Sequence, residues 1–157
     1  MLDTIFGLPL HPLVVHATVV LVPLAALTTL LAALNGRFRS WAGILPPALA
    51  LVAVILTPIS TSSGEGLEHM VGHSKLIEQH SQLADMLIWW VVPLLVGAAG
   101  VWWATRNADK AQRGLFIAAA VVSVVAALGT TVQVVLIGHS GAESAWGDTA
   151  SASGGGS

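Results

Sequence analysis

Long hydrophobic segments separated by short polar ones dominate the pattern of this chain. Four stretches are almost wholly apolar, at residues 13–34, 44–60, 83–104 and 115–137. A helix needs about 20 largely apolar residues to cross a bilayer, because each residue rises about 1.5 Å and the hydrocarbon core is about 30 Å thick. Continuous apolar runs are typical of helices, whereas barrel strands show short alternating patterns. The pattern therefore predicts an all-α polytopic membrane protein, a bundle of four transmembrane helices.

Composition supports the bilayer as the main solvent of this chain. Of its 157 residues, 55% are hydrophobic and 9% charged, and the mean hydropathy is +0.81. Soluble domains carry about 25% charged residues. The Ser- and Gly-rich tail 151–157 has the composition of a flexible, added linker, so we place the membrane domain at residues 1–150.

Basic residues predict the orientation of the bundle. They fall between the first and second segments and between the third and fourth, and Lys75 stands alone in the other loop. The positive-inside rule places the two basic loops in the cytoplasm, and both termini are then extracytoplasmic. The residues that carry this argument are Arg37, Arg39, Arg106, Lys110 and Arg113.

Several chemistries find no support in the sequence. Cysteine is absent, which excludes disulfides, thiolate clusters and thioether attachment of haem. We find no phosphate-binding glycine loop, nucleophile elbow or His-Glu-x-x-His zinc motif. The pattern thus favours an electron-transfer or binding protein over a catalyst, and a net charge of -2 gives no reason to expect nucleic acid as a partner.

All histidines of the chain fall on the extracytoplasmic side once the four segments cross the bilayer. His16 lies about one turn inside the first segment, and an ionisable group in an apolar helix is expected to face the bundle interior. His80 precedes the third segment by about one turn. His139 follows the fourth, within glycines expected to end that helix. We therefore expect His16, His80 and His139 at one level, and the others are His11, His69 and His73.

The remaining histidines are weaker candidates. His11 precedes Pro12, which suits the first position of a helix, so His11 is placed to cap it. One continuous helix would place His69 and His73 on the same face as His80, but Gly72 is expected to break such a helix. His69 and His73 then lie in a polar loop at the membrane interface, where histidines commonly bind no ligand.

Few polar side chains lie inside the predicted bundle. We expect hydroxyls such as Thr57, Ser123 and Thr130 to be satisfied within their own helices, which argues against a transport path. Gln133 is the most polar exception, and we expect it to form a hydrogen bond between helices.

These residues resemble a bacterial four-helix membrane domain catalogued as a domain of unknown function. The resemblance rests on Gly7 to His16 (Gly-Leu-Pro-Leu-His-Pro-Leu-Val-Val-His), the Thr61–Glu65 turn, His80, and Gly138 to Ala142 (Gly-His-Ser-Gly-Ala). It spans nearly the whole chain, and it implies a multi-pass protein of the bacterial cytoplasmic membrane. Members are often fused to, or encoded beside, Rieske-type or cytochrome c-type modules, which implies a redox protein as partner. The matched histidines are His11, His16, His80 and His139.

Our leading hypothesis is a b-type haem in electron transfer. Two neutral histidines at equal depth on different helices suit bis-imidazole ligation of haem iron. His16 with His80 or His139 offers such a pair, and His11 is a further candidate.

Two alternatives remain open. Haem propionates favour basic partners, and the extracytoplasmic face offers only Lys75 among acids, so a copper or zinc site built from the same histidines is the second hypothesis. Its extra ligands, or groups that orient the ligands, would come from Glu65, Glu68, Glu78 or Asp85, with His69 and His73 as weaker ligands. The third hypothesis is a structural subunit of a membrane complex whose histidines bind nothing. Association of several copies of the chain is also open.

Overall fold

The computed structural model describes the backbone of residues 4–5, 8–71, 75–107 and 112–153, and the side chains of residues 14–64, 77–107 and 113–143. Two short strands come first: β1 (Thr4–Ile5) pairs antiparallel with β2 (Leu8–Pro9). The rest of the described chain is helical. The helices are α1 (Leu10–Leu34), α2 (Gly36–Ala42), α3 (Leu45–Val71), α4 (Lys75–Asp85), α5 (Ile88–Arg106) and α6 (Gln112–Ser153).

Four long helices form the bundle, which confirms the predicted membrane fold. The stretches long and apolar enough to span a bilayer are Val14–Leu34, Leu45–Gly64, Ile77–Arg106 and Arg113–Glu143. Around the bundle, α1 packs against α3, α3 against α5, α5 against α6, and α6 back against α1. Consecutive long helices are therefore neighbours. Large apolar side chains that face away from the core, such as Val20 and Val135, suit contact with lipid.

Three of the predicted boundaries are wrong. The Thr61–Glu65 segment is not a turn, because α3 continues to Val71. The polar segment before the third span is a separate amphipathic helix, α4. Backbone hydrogen bonds between residues three apart join α4 to α5, such as the bond from the Leu87 N–H to the Ala84 carbonyl. The glycines around His139 do not end the last helix, since α6 runs through them to Ser153.

Small residues dominate the core of the bundle. Alanines from α1, α3, α5 and α6 are almost completely buried, together with a few larger side chains such as Val22, Val91 and Leu94. Helices in lipid gain little from burying apolar surface and associate through close packing, which small residues permit. The composition of this core thus brings the helix backbones close together.

The α5–α6 interface is the tightest part of the bundle. Gly129 lies against the indole ring of Trp90, so closely that a Cβ at this position would overlap the ring. Gly97 faces Ser123, and a Cβ there would come within 2.6 Å of the Ser123 Oγ atom. The two contacts fix an antiparallel register in which residue numbers on α5 fall as those on α6 rise.

Arg39 closes the opposite end of the bundle from the described histidines. Its guanidinium donates hydrogen bonds to the carbonyls of Ala32 (2.8 Å) and Ala33 (3.4 Å) at the end of α1, and it stacks over the ring of Phe116 on α6 at 4.6 Å. A cation at a helix C-terminus also offsets the negative end of the helix dipole. We call this end, which carries Arg37, Arg39, Arg106 and Arg113, the basic end.

We predict that Gly129→Ala lowers the stability of the bundle. Alanine favours helix by about 1 kcal/mol over glycine, but the overlap with Trp90 forces α5 and α6 apart at a cost of about 1–3 kcal/mol. Gly114→Ala is the matched control, since nothing lies within 4 Å of a Cβ at that position. Thermal unfolding in detergent should show a lower Tm for Gly129→Ala and an equal or higher Tm for Gly114→Ala. Equal rises in both variants would contradict the close contact.

A second prediction concerns the basic end. Arg39→Ala removes two hydrogen bonds and a cation–π contact that join α1, α2 and α6, so we expect a loss of about 1–2 kcal/mol in stability. Arg37→Ala removes the same charge from an exposed side chain and should leave the Tm nearly unchanged. Equal Tm values for the two variants would show that Arg39 contributes only charge.

Candidate functional site

Three of the predicted histidines lie at one end of the bundle, opposite the basic end. His16 is in the first turns of α1, His80 is on α4, and His139 is on the part of α6 beyond its apolar run. The antiparallel register of α5 and α6 brings α4 beside this part of α6. We call it the histidine end.

His80 packs between α4 and α6 and is the least exposed of the three. Its side chain is partly buried, and its Nδ1 atom lies 3.0 Å from the Oγ atom of Ser140. Gly141 leaves room for the ring, since a Cβ there would lie 3.1 Å from the His80 Cε1 atom. Two positions on α6 therefore hold the imidazole, one by a hydrogen bond and one by its lack of a side chain.

The Ser140 hydroxyl contacts both the His80 ring and its own helix. Its Oγ atom lies 3.0 Å from Nδ1 of His80 and 3.0 Å from the carbonyl oxygen of Ile137. If the one hydroxyl proton is donated to the carbonyl, which can only accept, the Ser140 oxygen accepts from a protonated Nδ1 and the lone pair of the ring is on Nε2. Histidine binds a metal ion through such a lone pair.

A second contact fixes α4 on α6 close to His80. Gln133 is nearly buried, and its Nε2 atom donates to the carbonyl of Leu83 at 2.7 Å. This carbonyl belongs to the last turn of α4, where helix carbonyls lack helical donors. This bond is the hydrogen bond between helices that was predicted for Gln133. It restrains α4 at Leu83, three residues after His80.

The other two histidines are exposed. His139 is 71% exposed, and its Nδ1 atom lies 3.6 Å from a carboxylate oxygen of Glu143, one turn along α6. His16 is also exposed, so the prediction that it faces the bundle interior is wrong. The reason is the rotation of α1, whose buried residues, Thr18 and Val22 among them, lie on the opposite face of the helix from His16.

The remaining candidates lie outside the described side chains. These are His11, His69, His73, Glu65 and Glu68. Among the side chains that are described, no three His, Asp or Glu residues come together as a group able to hold a metal ion. The two other acidic candidates, Glu78 and Asp85, are exposed on α4.

Sequence reasoning missed Ser140 and Gly141 as partners of His80. Both are in the Gly-His-Ser-Gly motif, in which the histidine is the more obvious candidate ligand. Their spacing carried a usable signal, because residues 140 and 141 follow Gln133 by seven and eight positions, or about two helical turns, and therefore lie on a similar face of a continuous helix. Because the helix was expected to end at these glycines, the sequence did not predict that Gln133, Ser140 and Gly141 share a helical face.

Residues 7–153 match the family model DUF2231, described as "Predicted membrane protein". No curated protein and no solved structure matches the chain. The family match includes all the elements of the histidine end, from the start of α1 to the end of α6. With nearly its whole length matched, this four-span membrane protein belongs to the DUF2231 family.

Proposed function

We propose that this protein binds a b-type haem at the histidine end and transfers electrons within the membrane. The observation that carries the proposal is the contact of His80 with Ser140, whose Oγ atom lies 3.0 Å from Nδ1 of the ring. In metalloproteins, ligating histidines almost always donate their other ring N–H to a fixed acceptor, which orients the ring and strengthens the ligand. The Ser140 oxygen is placed to be this acceptor for His80.

In this proposal, His80 would hold the haem iron through its Nε2 atom. The two ring nitrogens of an imidazole point in different directions, so a group on Nε2 would lie away from Ser140. A second histidine ligand would therefore come from a helix other than α6. His16 on α1 meets this condition, whereas His139 is on α6 and faces Glu143.

The chemistry expected of the bound group is reversible one-electron transfer, which bis-histidine ligation supports. The contribution of the protein is to fix the orientation of the imidazole, through Ser140, Gly141 and the Gln133 bond to Leu83. A fixed ligand lowers the reorganisation that accompanies a change of iron charge. These roles belong to an electron-transfer protein and require no catalytic residue.

The setting that we propose is the cytoplasmic membrane of a bacterium, with the basic end in the cytoplasm. Both termini and the histidine end are then extracytoplasmic. The partner we propose is a Rieske-type or cytochrome c-type protein on that side. Exposed acids at the histidine end, among them Glu78, Asp85 and Glu143, suit a partner with a basic contact surface.

The first test is a visible spectrum of the detergent-purified protein, oxidised and then reduced with dithionite. We expect Soret and α bands of a six-coordinate b-type haem in the wild type. His80→Ala should remove them, and His16→Ala should remove them or convert the haem to a five-coordinate form. His139→Ala is the matched control on α6 and should retain the full haem content.

A featureless spectrum from haem-replete cells would overturn the haem proposal. Analysis for copper and zinc in the same samples then distinguishes the two remaining hypotheses. Metal that is lost with His80→Ala would indicate a histidine metal site, and no metal in the wild type would indicate a structural subunit.

Gly141 provides a further prediction that leaves every candidate ligand in place. Gly141→Ala places a Cβ 3.1 Å from the His80 ring and displaces the imidazole by a few tenths of an ångström. We expect about a tenfold weaker haem retention and a shifted Soret band, within the range seen when groups that orient ligands are altered. Gly138→Ala, where nothing lies within 4 Å of the added Cβ, should behave as the wild type. Identical haem retention in both variants would exclude His80 as the ligand.

A further inference from the structure

Thr130 on α6, together with Thr29 on α1, differs from the other described threonines of the bundle. Its side chain is completely buried, and its hydroxyl has no hydrogen-bond partner among the described residues. Thr57 and Thr131 instead donate to the carbonyls of Ala53 and Ala127 in their own helices, each at 2.8 Å. The expectation that Thr130 and Ser123 are satisfied within their own helix is therefore wrong. A buried hydroxyl without a partner loses its hydrogen bonds to water and gains nothing in return.

A backbone group on α5 lacks its usual partner in the same way. Pro93 has no N–H, so the carbonyl of Trp89, four residues earlier, has no helical donor at this position. At 100° per residue, Pro93 falls between Trp90 and Gly100 on the arc of α5 that faces α6, where Trp90 meets Gly129 and Gly100 meets Ala119. The unpaired carbonyl therefore opens towards α6.

The antiparallel register places these two groups at the same height. Gly129 packs on Trp90, so the next residue on α6, Thr130, lies level with Trp89. The Trp89 carbonyl points along α5 towards the basic end, and side chains of α6 lean towards its N-terminus, which is also the basic end. The Thr130 hydroxyl and the Trp89 carbonyl oxygen are thus displaced in the same direction and lie at the same height along the bundle axis. The hydroxyl does not bond to the carbonyl directly.

We propose that an ordered water molecule binds between α5 and α6, donating to the Trp89 carbonyl and exchanging a hydrogen bond with the Thr130 hydroxyl. A buried water needs two to four polar partners, and ordered waters commonly satisfy carbonyls freed by proline in membrane helices. The water satisfies the backbone carbonyl that Pro93 leaves without a donor, and it is independent of any haem.

A double-mutant cycle tests this site. Thr130→Val keeps the shape of the side chain and removes the hydroxyl, so it leaves the water short of a partner and should lower the Tm by about 3 °C. Pro93→Ala restores the N–H that bonds the Trp89 carbonyl. In that background the water is no longer required, and Thr130→Val should leave the Tm unchanged or raise it.

Thr57→Val is the control, because Thr57 is equally buried but bonds within α3. It should change the Tm little in either background. A Thr130→Val variant with a wild-type or higher Tm, or one with the same loss in both backgrounds, would overturn the proposal.

A second experiment detects the bound water directly, and it applies even if a variant unfolds at too low a temperature for a melting experiment. X-ray radiolysis produces hydroxyl radicals from bound water and oxidises the side chains beside it. In the wild type, we expect oxidation of Trp90, which packs next to Thr130. The oxidation rate of Trp90 should fall severalfold in Thr130→Val and remain unchanged in Thr57→Val. Equal rates in wild type and Thr130→Val would overturn the proposal.

Discussion

The close contact of α5 with α6 is the constraint on which the rest of the molecule depends. Two glycines allow the helix backbones to approach, with Trp90 seated on Gly129 and Ser123 seated on Gly97. In a bilayer, this packing replaces the hydrophobic effect that drives association in water. The contact also sets the register of the two helices, and the register determines which residue of α4 meets which residue of α6. The position of His80 beside Ser140 is thus a consequence of packing about 15 Å away along the helix axis.

Much of the fold could be predicted because the bilayer imposes simple rules. Hydrophobic length identifies the spans, and each of the four appears where the pattern placed it. The helix ends were harder to predict, since polar composition marks the end of the hydrocarbon but not the end of a helix. Gly138 and Gly141 illustrate this point: glycine weakens a helix by about 1 kcal/mol each, and the contacts of α6 with α4 offset that loss. Sequence alone does not report such contacts.

The sequence predicted which histidines lie at one end of the bundle, but it did not predict which of them are buried or what they contact. His16, His80 and His139 have similar sequence signals, yet His80 is partly buried against α6 and the side chains of the other two are exposed. The difference arises from helix rotation, which depends on side-chain packing that a hydrophobic pattern does not specify. The buried hydroxyl of Thr130 shows the same limit. Threonine commonly bonds to its own helix, and whether it does so depends on a rotamer set by its neighbours.

The length of α6 has a consequence for how this protein meets a partner. Its apolar run ends near Ile137, but the helix continues to Ser153. The 16 residues from Gly138 to Ser153 extend about 24 Å at about 1.5 Å per residue. This extension projects beyond the level at which the apolar side chains of α6 end. A partner that approaches this end of the bundle would therefore meet the side of a protruding helix before it meets the bilayer.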